Sequence, residues 1–156
     1  MWSSNSLMNH VSTPLIRENI MTTDLWILLS LALLAELLTL PPLVARGSVP
    51  GGIKWIFHNR DTVLEGVAAW GGRAIRAHDN LADNLAMYAA VIGIAHITGA
   101  TNGVTMVAGM VLLGARVLHA MVYIAGIPYL RTAIFAVAQL AMLVYVWEII
   151  AHFTAR

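Results

Sequence analysis

The run Arg73-Ala-Ile-Arg-Ala-His-Asp-Asn-Leu-Ala-Asp-Asn84 leads straight into an apolar run from Leu85 to Ile97. No Gly, Pro or turn cluster stands between them, so a single helix is expected to carry both. On that helix Arg76, Asn80 and Asp83 fall at i, i+4 and i+7, one face about 10 Å long. A charge well inside a bilayer costs roughly 2.5–3.5 kcal/mol on insertion scales, and such residues face a bundle interior or a watery cavity. A polar face at the mouth of a membrane helix is therefore a candidate site.

Composition places the chain in a bilayer. Of its 156 residues 59% are hydrophobic and 11% charged, against about 45–50% and about 25% in soluble domains. The reading is an all-α integral membrane protein. At roughly 20 residues per span the length fits four spans with short loops and leaves no separate soluble domain. The net charge of +1 gives no reason to expect nucleic acid as a partner. Cysteine is absent, which excludes disulfides, thiolate metal ligands and a protein-borne thiol nucleophile. Sulfur chemistry would have to come from a bound small molecule. The histidines do not recur at metal-ligand spacing on one face, so no metal site is expected.

Residues 1–20 are polar and lack the apolar core of a signal peptide, so they are expected to form a disordered extension ahead of a four-span domain over 21–156. The spans are expected at Leu25–Val44, Gly72–Thr98, Val104–Ala125 and Tyr129–Phe153. Thr22, Thr23 and Asp24 are N-cap candidates for the first span, and Pro41 with Pro42 should bend or end it. Spans two to four are joined by very short loops and must be antiparallel neighbours in a bundle. Arg46, Lys54, Arg60, Arg73 and Arg131 lie at one face, against Arg17 and Arg156 at the other. By the positive-inside rule the 46–72 connection is cytoplasmic and both termini lie on the opposite side.

Two further motifs converge on the cytoplasmic end. Arg116, His119 and Tyr123 share one face of the third span at i, i+3 and i+7, and Arg131-Thr132 opens the fourth. Antiparallel packing is expected to bring Arg76, Asn80, Asp83, Tyr123 and Arg131 to one cavity. Arg116 lies deeper, where an unpaired guanidinium is expensive, and Asp83 is its expected partner. Each residue also has a structural reading: Arg116 with Asp83 as an ion pair between helices, Tyr123 as an interfacial anchor, His119 as a packing residue. Arg73 and Arg131 can equally snorkel to headgroups. Against those readings stands coincidence, since the polar groups of three helices meet at one depth. Their excess of cations suits an anionic ligand with several carboxylates. Glu36, in mid-span, finds no role in this scheme, and His96 reads as structural.

At these residues the sequence resembles the MAPEG family, the membrane-associated proteins in eicosanoid and glutathione metabolism, and is most similar to its short bacterial members. The resemblance rests on Arg73–Asn84, on Ala115-Arg116-Val-Leu-His119-Ala-Met-Val-Tyr123 and on Gly126-Ile-Pro-Tyr-Leu-Arg131-Thr132, and spans residues 21–156. It implies a homotrimer of four-helix bundles in a bacterial inner membrane, with glutathione as cosubstrate between adjacent protomers. Arg76, Asn80 and Asp83 match the polar set that holds the glutathione backbone and its carboxylates, with Arg73 a further binding candidate, while Arg116, His119 and Tyr123 match the third-helix wall of its pocket. Arg131 matches the arginine that stabilises the thiolate, with Tyr123 or Thr132 donating a hydrogen bond, and Arg46 matches an arginine that reaches a neighbouring protomer's ligand. The chain departs from the family pattern at Asp83, where Glu is usual, and at Asp79, where several members carry a basic or neutral residue.

The resemblance implies a glutathione transferase or peroxidase acting on lipophilic electrophiles that enter from the bilayer, with glutathione, a hydrophobic small molecule and membrane lipids as partners. The alternative is a non-catalytic binding or scaffold protein on the same bundle, which the two departures favour. A transporter or channel is a third reading, opposed by the short loops and the lack of a Gly/Pro-broken helix at the polar face.

Overall fold

The computed structural model describes residues 21–155, so the extension expected over residues 1–20 lies outside them. The described chain is all-helical: α1 Thr23–Leu37, α2 Leu40–Gly47, α3 Gly52–Phe57, α4 Ala69–Thr98, α5 Gly103–Ala125 and α6 Pro128–Thr154. Four segments are long and apolar enough to cross a membrane: Thr23–Gly47, which joins α1 to α2, then α4, α5 and α6. Pro41 and Pro42 bend the first span without ending it. They occupy the first turn of α2, where a missing N–H costs no helical hydrogen bond, so the chain turns at Leu38–Thr39 and continues.

Local chemistry sets the other helix ends. The Thr22 hydroxyl accepts from the Leu25 N–H at 3.4 Å and also lies 3.5 Å from His96 Nδ1, tying the start of α1 to the end of α4. Asn102 and Thr105 form a reciprocal capping box at the start of α5. Gly99 and Gly126 close α4 and α5 with φ of 73° and 86°, a left-handed stop that glycine adopts at little cost. With 30 residues α4 is about 45 Å long. That exceeds the roughly 30 Å hydrocarbon core, so its charged first turns reach the headgroup zone.

Packing runs on small residues. Ala35, Ala77, Ala95, Ala115, Ala138 and Ala141 are buried, whereas Leu33, Leu37, Leu140 and Leu143 point outward. In lipid, apolar bulk gains nothing from turning inward, and close helix approach supplies the attraction instead. α5 and α6 form the most extensive contact, and α4 packs on α1, α2, α5 and α6. At the end opposite the 46–72 connection, buried Asp24 accepts a 2.7 Å hydrogen bond from the Tyr145 hydroxyl, linking α1 to α6. This strap passes over Gly109, where an added Cβ would sit 2.5 Å from Tyr145 Oη and 2.6 Å from Ile27 Cδ1. Gly93, on α4, has open space around the same position.

Gly109→Ala is accordingly expected to lower stability by about 1–3 kcal/mol through overpacking. Gly93→Ala should raise it by up to about 1 kcal/mol through helix propensity. Denaturation midpoints in detergent micelles test the pair, and two shifts of the same sign would refute this account of the packing.

Candidate functional site

Arg116 stands in mid-bundle on α5, 1% exposed, with its guanidinium turned toward α4 and α6. Its Nη2 donates to Asn80 Oδ1 at 2.9 Å, and the guanidinium carbon lies 5.9 Å from the Tyr88 ring centre and 5.8 Å from that of Phe135. Nε and Nη1 make no hydrogen bond. The expected pairing with Asp83 does not occur. Asp83 is exposed, and the only ion pair among the described residues joins His78 to Asp79 at 3.1 Å. The reason is rotational: residues three apart on a helix differ by about 60° around its axis. α4 turns Asn80 toward α5 and leaves Asp83 on the outer side.

Amides tie this turn of α4 to α6. Gln139 on α6 donates to Asn84 Oδ1 at 3.1 Å, and Asn84 Nδ2 donates to the backbone carbonyl of Asn80 at 2.7 Å. Asn84 and Gln139 were not singled out by sequence reasoning. Gln139 carried a usable signal, since an uncharged amide inside an apolar span needs a hydrogen-bond partner there.

Above this network, toward the 46–72 connection, a cavity of about 190 Å³ is lined by Asn80, His119, Tyr123, Arg131, Thr132 and Phe135. The Arg131 guanidinium lies 4.4 Å from the Tyr123 ring centre, a cation–π distance that holds it against the wall. The His119 ring meets Tyr123 edge-on at 5.5 Å and Phe135 at 5.8 Å. The Thr132 hydroxyl donates to the Pro128 carbonyl at 3.2 Å, one turn back along α6. Arg131 has no carboxylate partner among the described residues. The wall can therefore offer a positive charge, an amide, an imidazole and the Tyr123 hydroxyl to an anion.

The structure thus brings together five of the expected residues: Asn80, His119, Tyr123, Arg131 and Thr132. Phe135 joins them unforeseen. Arg116 stands behind Asn80 and acts on the cavity through it. Arg73 is placed elsewhere: its Nε donates to the Ile124 carbonyl at 2.8 Å, and its guanidinium lies beside Gly126. A cation there complements the C-terminal end of α5. Arg46 and Arg76 line a second, larger cavity under the 46–72 connection, and Asp83 lines neither.

Fold and pocket together define an integral membrane protein of four spans with a cation-walled cavity at one end of the bundle. The model of the MAPEG family matches residues 14–151, and the chain belongs to that family. The match begins ahead of α1, inside the stretch read from sequence as a separate extension. The family includes glutathione transferases and peroxidases and generally uses glutathione. Neither the curated proteins nor the solved structures contain a match to the chain.

Asn80→Ala removes the only hydrogen bond of a buried guanidinium, and a loss of about 1–3 kcal/mol is expected. Asp83→Ala, at an exposed position, should stay within about 0.5 kcal/mol. Both are measured without ligand, as unfolding midpoints in detergent. A larger loss for Asp83→Ala would restore it as the partner of Arg116.

Proposed function

We propose that the protein is a glutathione-dependent transferase or peroxidase whose Arg131 stabilises the glutathione thiolate. One observation carries the reading: the Arg131 guanidinium, with no carboxylate partner among the described residues, is stacked on Tyr123 at the wall of the cavity. A free thiol with a pKa near 8.5 is mostly protonated at neutral pH, and an adjacent guanidinium favours the anion. Tyr123 then donates a hydrogen bond to the sulfur, or Thr132 does so after releasing the Pro128 carbonyl, and Asn80 holds part of the glutathione backbone. The thiolate attacks an electrophilic carbon and expels a leaving group with its electron pair. With a hydroperoxide it attacks the terminal oxygen instead and breaks the O–O bond. This releases the alkoxide, to be protonated to the alcohol, and leaves glutathione sulfenic acid; a second glutathione thiol then attacks that sulfur, giving glutathione disulfide and water.

The cavity of about 190 Å³ is below the roughly 300–1,000 Å³ of small-molecule sites. Arg76 and Asp83 do not line it and stand exposed on α4. A neighbouring copy in the homotrimer that the family resemblance implies would complete the wall and bring these side chains, and Arg46, to the ligand. The substrate is a lipophilic electrophile reaching the site from the bilayer, with the 46–72 connection on the cytoplasmic side. The position of Asp83, away from both Arg116 and the cavity, favours a second reading: a non-catalytic glutathione-binding or scaffold protein on the same bundle.

Ultraviolet absorbance of the thiolate separates the two. Wild-type protein in detergent should show a thiolate signal on adding glutathione. Arg131→Ala should cut it about tenfold at neutral pH, the effect of returning the thiol toward its ordinary pKa. No binding by an intact oligomer would exclude the first reading, and binding without thiolate would favour the second. Asp83→Ala is expected to weaken glutathione binding more than it slows turnover, and the opposite order would reassign it.

A further inference from the structure

At the end of the bundle opposite the 46–72 connection, α5 and α6 form a groove of about 540 Å³. It shares no lining residue with the Arg131 pocket or with the cavity under the connection. The groove follows from residue size. Ala108 and Ala141 are buried and make its floor, while Val107 and Val111 on α5 and Val137 and Leu140 on α6 stand as exposed walls. In lipid such walls gain nothing by closing on each other, so hydrocarbon fills the space between them. On α5 the lining runs from Gly103 to Val111, about 12 Å along the axis. One leaflet contributes about 15 Å of hydrocarbon. The groove therefore has the depth of a single leaflet and opens at headgroup level.

Its rim is polar and held in place. Asn102 Oδ1 accepts from the Val104 and Thr105 N–H groups at 2.7 and 3.2 Å, as the cap of α5. With its oxygen so engaged, the amide turns Nδ2 toward α6 and donates to Glu148 Oε2 at 2.6 Å. Asn102 immediately precedes Gly103, and Glu148 stands one turn beyond Val144; Gly103 and Val144 both line the groove. The carboxylate is thus fixed over the mouth. A carboxylate has roughly four acceptor sites, of which Asn102 takes one. Asp24, at the same end, is buried and engaged by the Tyr145 hydroxyl, so Glu148 supplies the negative charge of the rim among the described residues. The start of α5 lies under the same rim, where its dipole favours a phosphate.

We propose that this groove is a lipid site, which seats one acyl chain of a phospholipid with a primary ammonium headgroup and binds that ammonium at Glu148. A primary ammonium brings three N–H donors to the carboxylate. A trimethylated ammonium brings none, and a headgroup of net negative charge meets Glu148 with like sign. The chain is held by the groove, and the headgroup is chosen at the rim.

The protein in detergent is given equimolar phosphatidylethanolamine, phosphatidylcholine and phosphatidylglycerol of identical chains, and the lipids it retains are counted by native mass spectrometry. Phosphatidylethanolamine should be retained in clear excess. Glu148→Gln keeps an acceptor for Asn102 and removes the charge, and should lower that excess about two- to fivefold, the scale of a half-exposed ion pair. Val107→Trp fills the groove from an exposed wall position. It should abolish the excess and leave the unfolding midpoint unchanged, which separates a blocked groove from a lost fold. Equal retention of the three lipids, an excess of phosphatidylglycerol, or an excess that survives either substitution overturns the proposal. A changed subunit count for Val107→Trp in the same spectra would make the groove an interface between copies of the chain, and that result overturns it as well.

Discussion

The buried guanidinium of Arg116 sets the terms for the rest of the bundle. On insertion scales a mid-span arginine costs roughly 2.5–3.5 kcal/mol, and here the side chain is 1% exposed among helices built from Ala, Val, Leu and Ile. Its partner is the amide of Asn80, so its charge is hydrogen-bonded but not cancelled. A hydrogen bond to a charged group contributes about 1.5–3 kcal/mol, and the faces of Tyr88 and Phe135 add a smaller attraction. These terms offset the insertion cost only if Asn80 stays at the right height and rotation. Gln139 and Asn84 keep it there by joining α6 to α4 one turn further into the membrane.

That rotation decides what the other charges can do. With Asn80 turned inward, Arg76 and Asp83 are carried to the outer side of α4, where each is exposed. The length of α4 lifts its first turns out of the hydrocarbon, and there Arg73 closes the end of α5 through the Ile124 carbonyl. The close approach of α4 to α2 depends on Gly71, where a Cβ would come within 2.5 Å of Ala45 Cβ. Small residues in the interfaces and a fixed rotation of α4 thus place the cations at one end of the bundle, in two separate cavities.

Much of this was legible in the chain. The apolar runs and the stops at Gly99 and Gly126 locate three spans to within a few residues, because a left-handed stop and a short loop leave little freedom. The Pro41–Pro42 pair was ambiguous, since proline ends one helix and starts another equally well. Spacing placed Asn80 and Asp83 on one face, but a face is wider than the 60° or so that separates them. The choice between them is made by the register of α5, which no single helix encodes. Asn84 and Gln139 are uncharged, and only the neighbouring helices reveal what they bond. The hold of Trp55 on Arg46 and Arg60 follows from a connection whose path the sequence does not fix.

Arg116 bears on the smaller cavity without lining it. Its donation engages the Oδ1 of Asn80, which fixes the amide so that Nδ2, the donor end, points away from the guanidinium. A hydrogen bond accepted from a cation also polarises the amide and strengthens it as a donor. The cavity wall therefore collects donors: the Asn80 amide, the Arg131 guanidinium and the hydroxyl of Tyr123. No carboxylate among the described residues lines it, and the charge of Arg116, unpaired among those residues, adds a positive field from behind. A pocket of this kind discriminates by sign before it discriminates by shape. That sign depends on having Asn80, and not Asp83, as the partner of Arg116: a carboxylate there would neutralise the field.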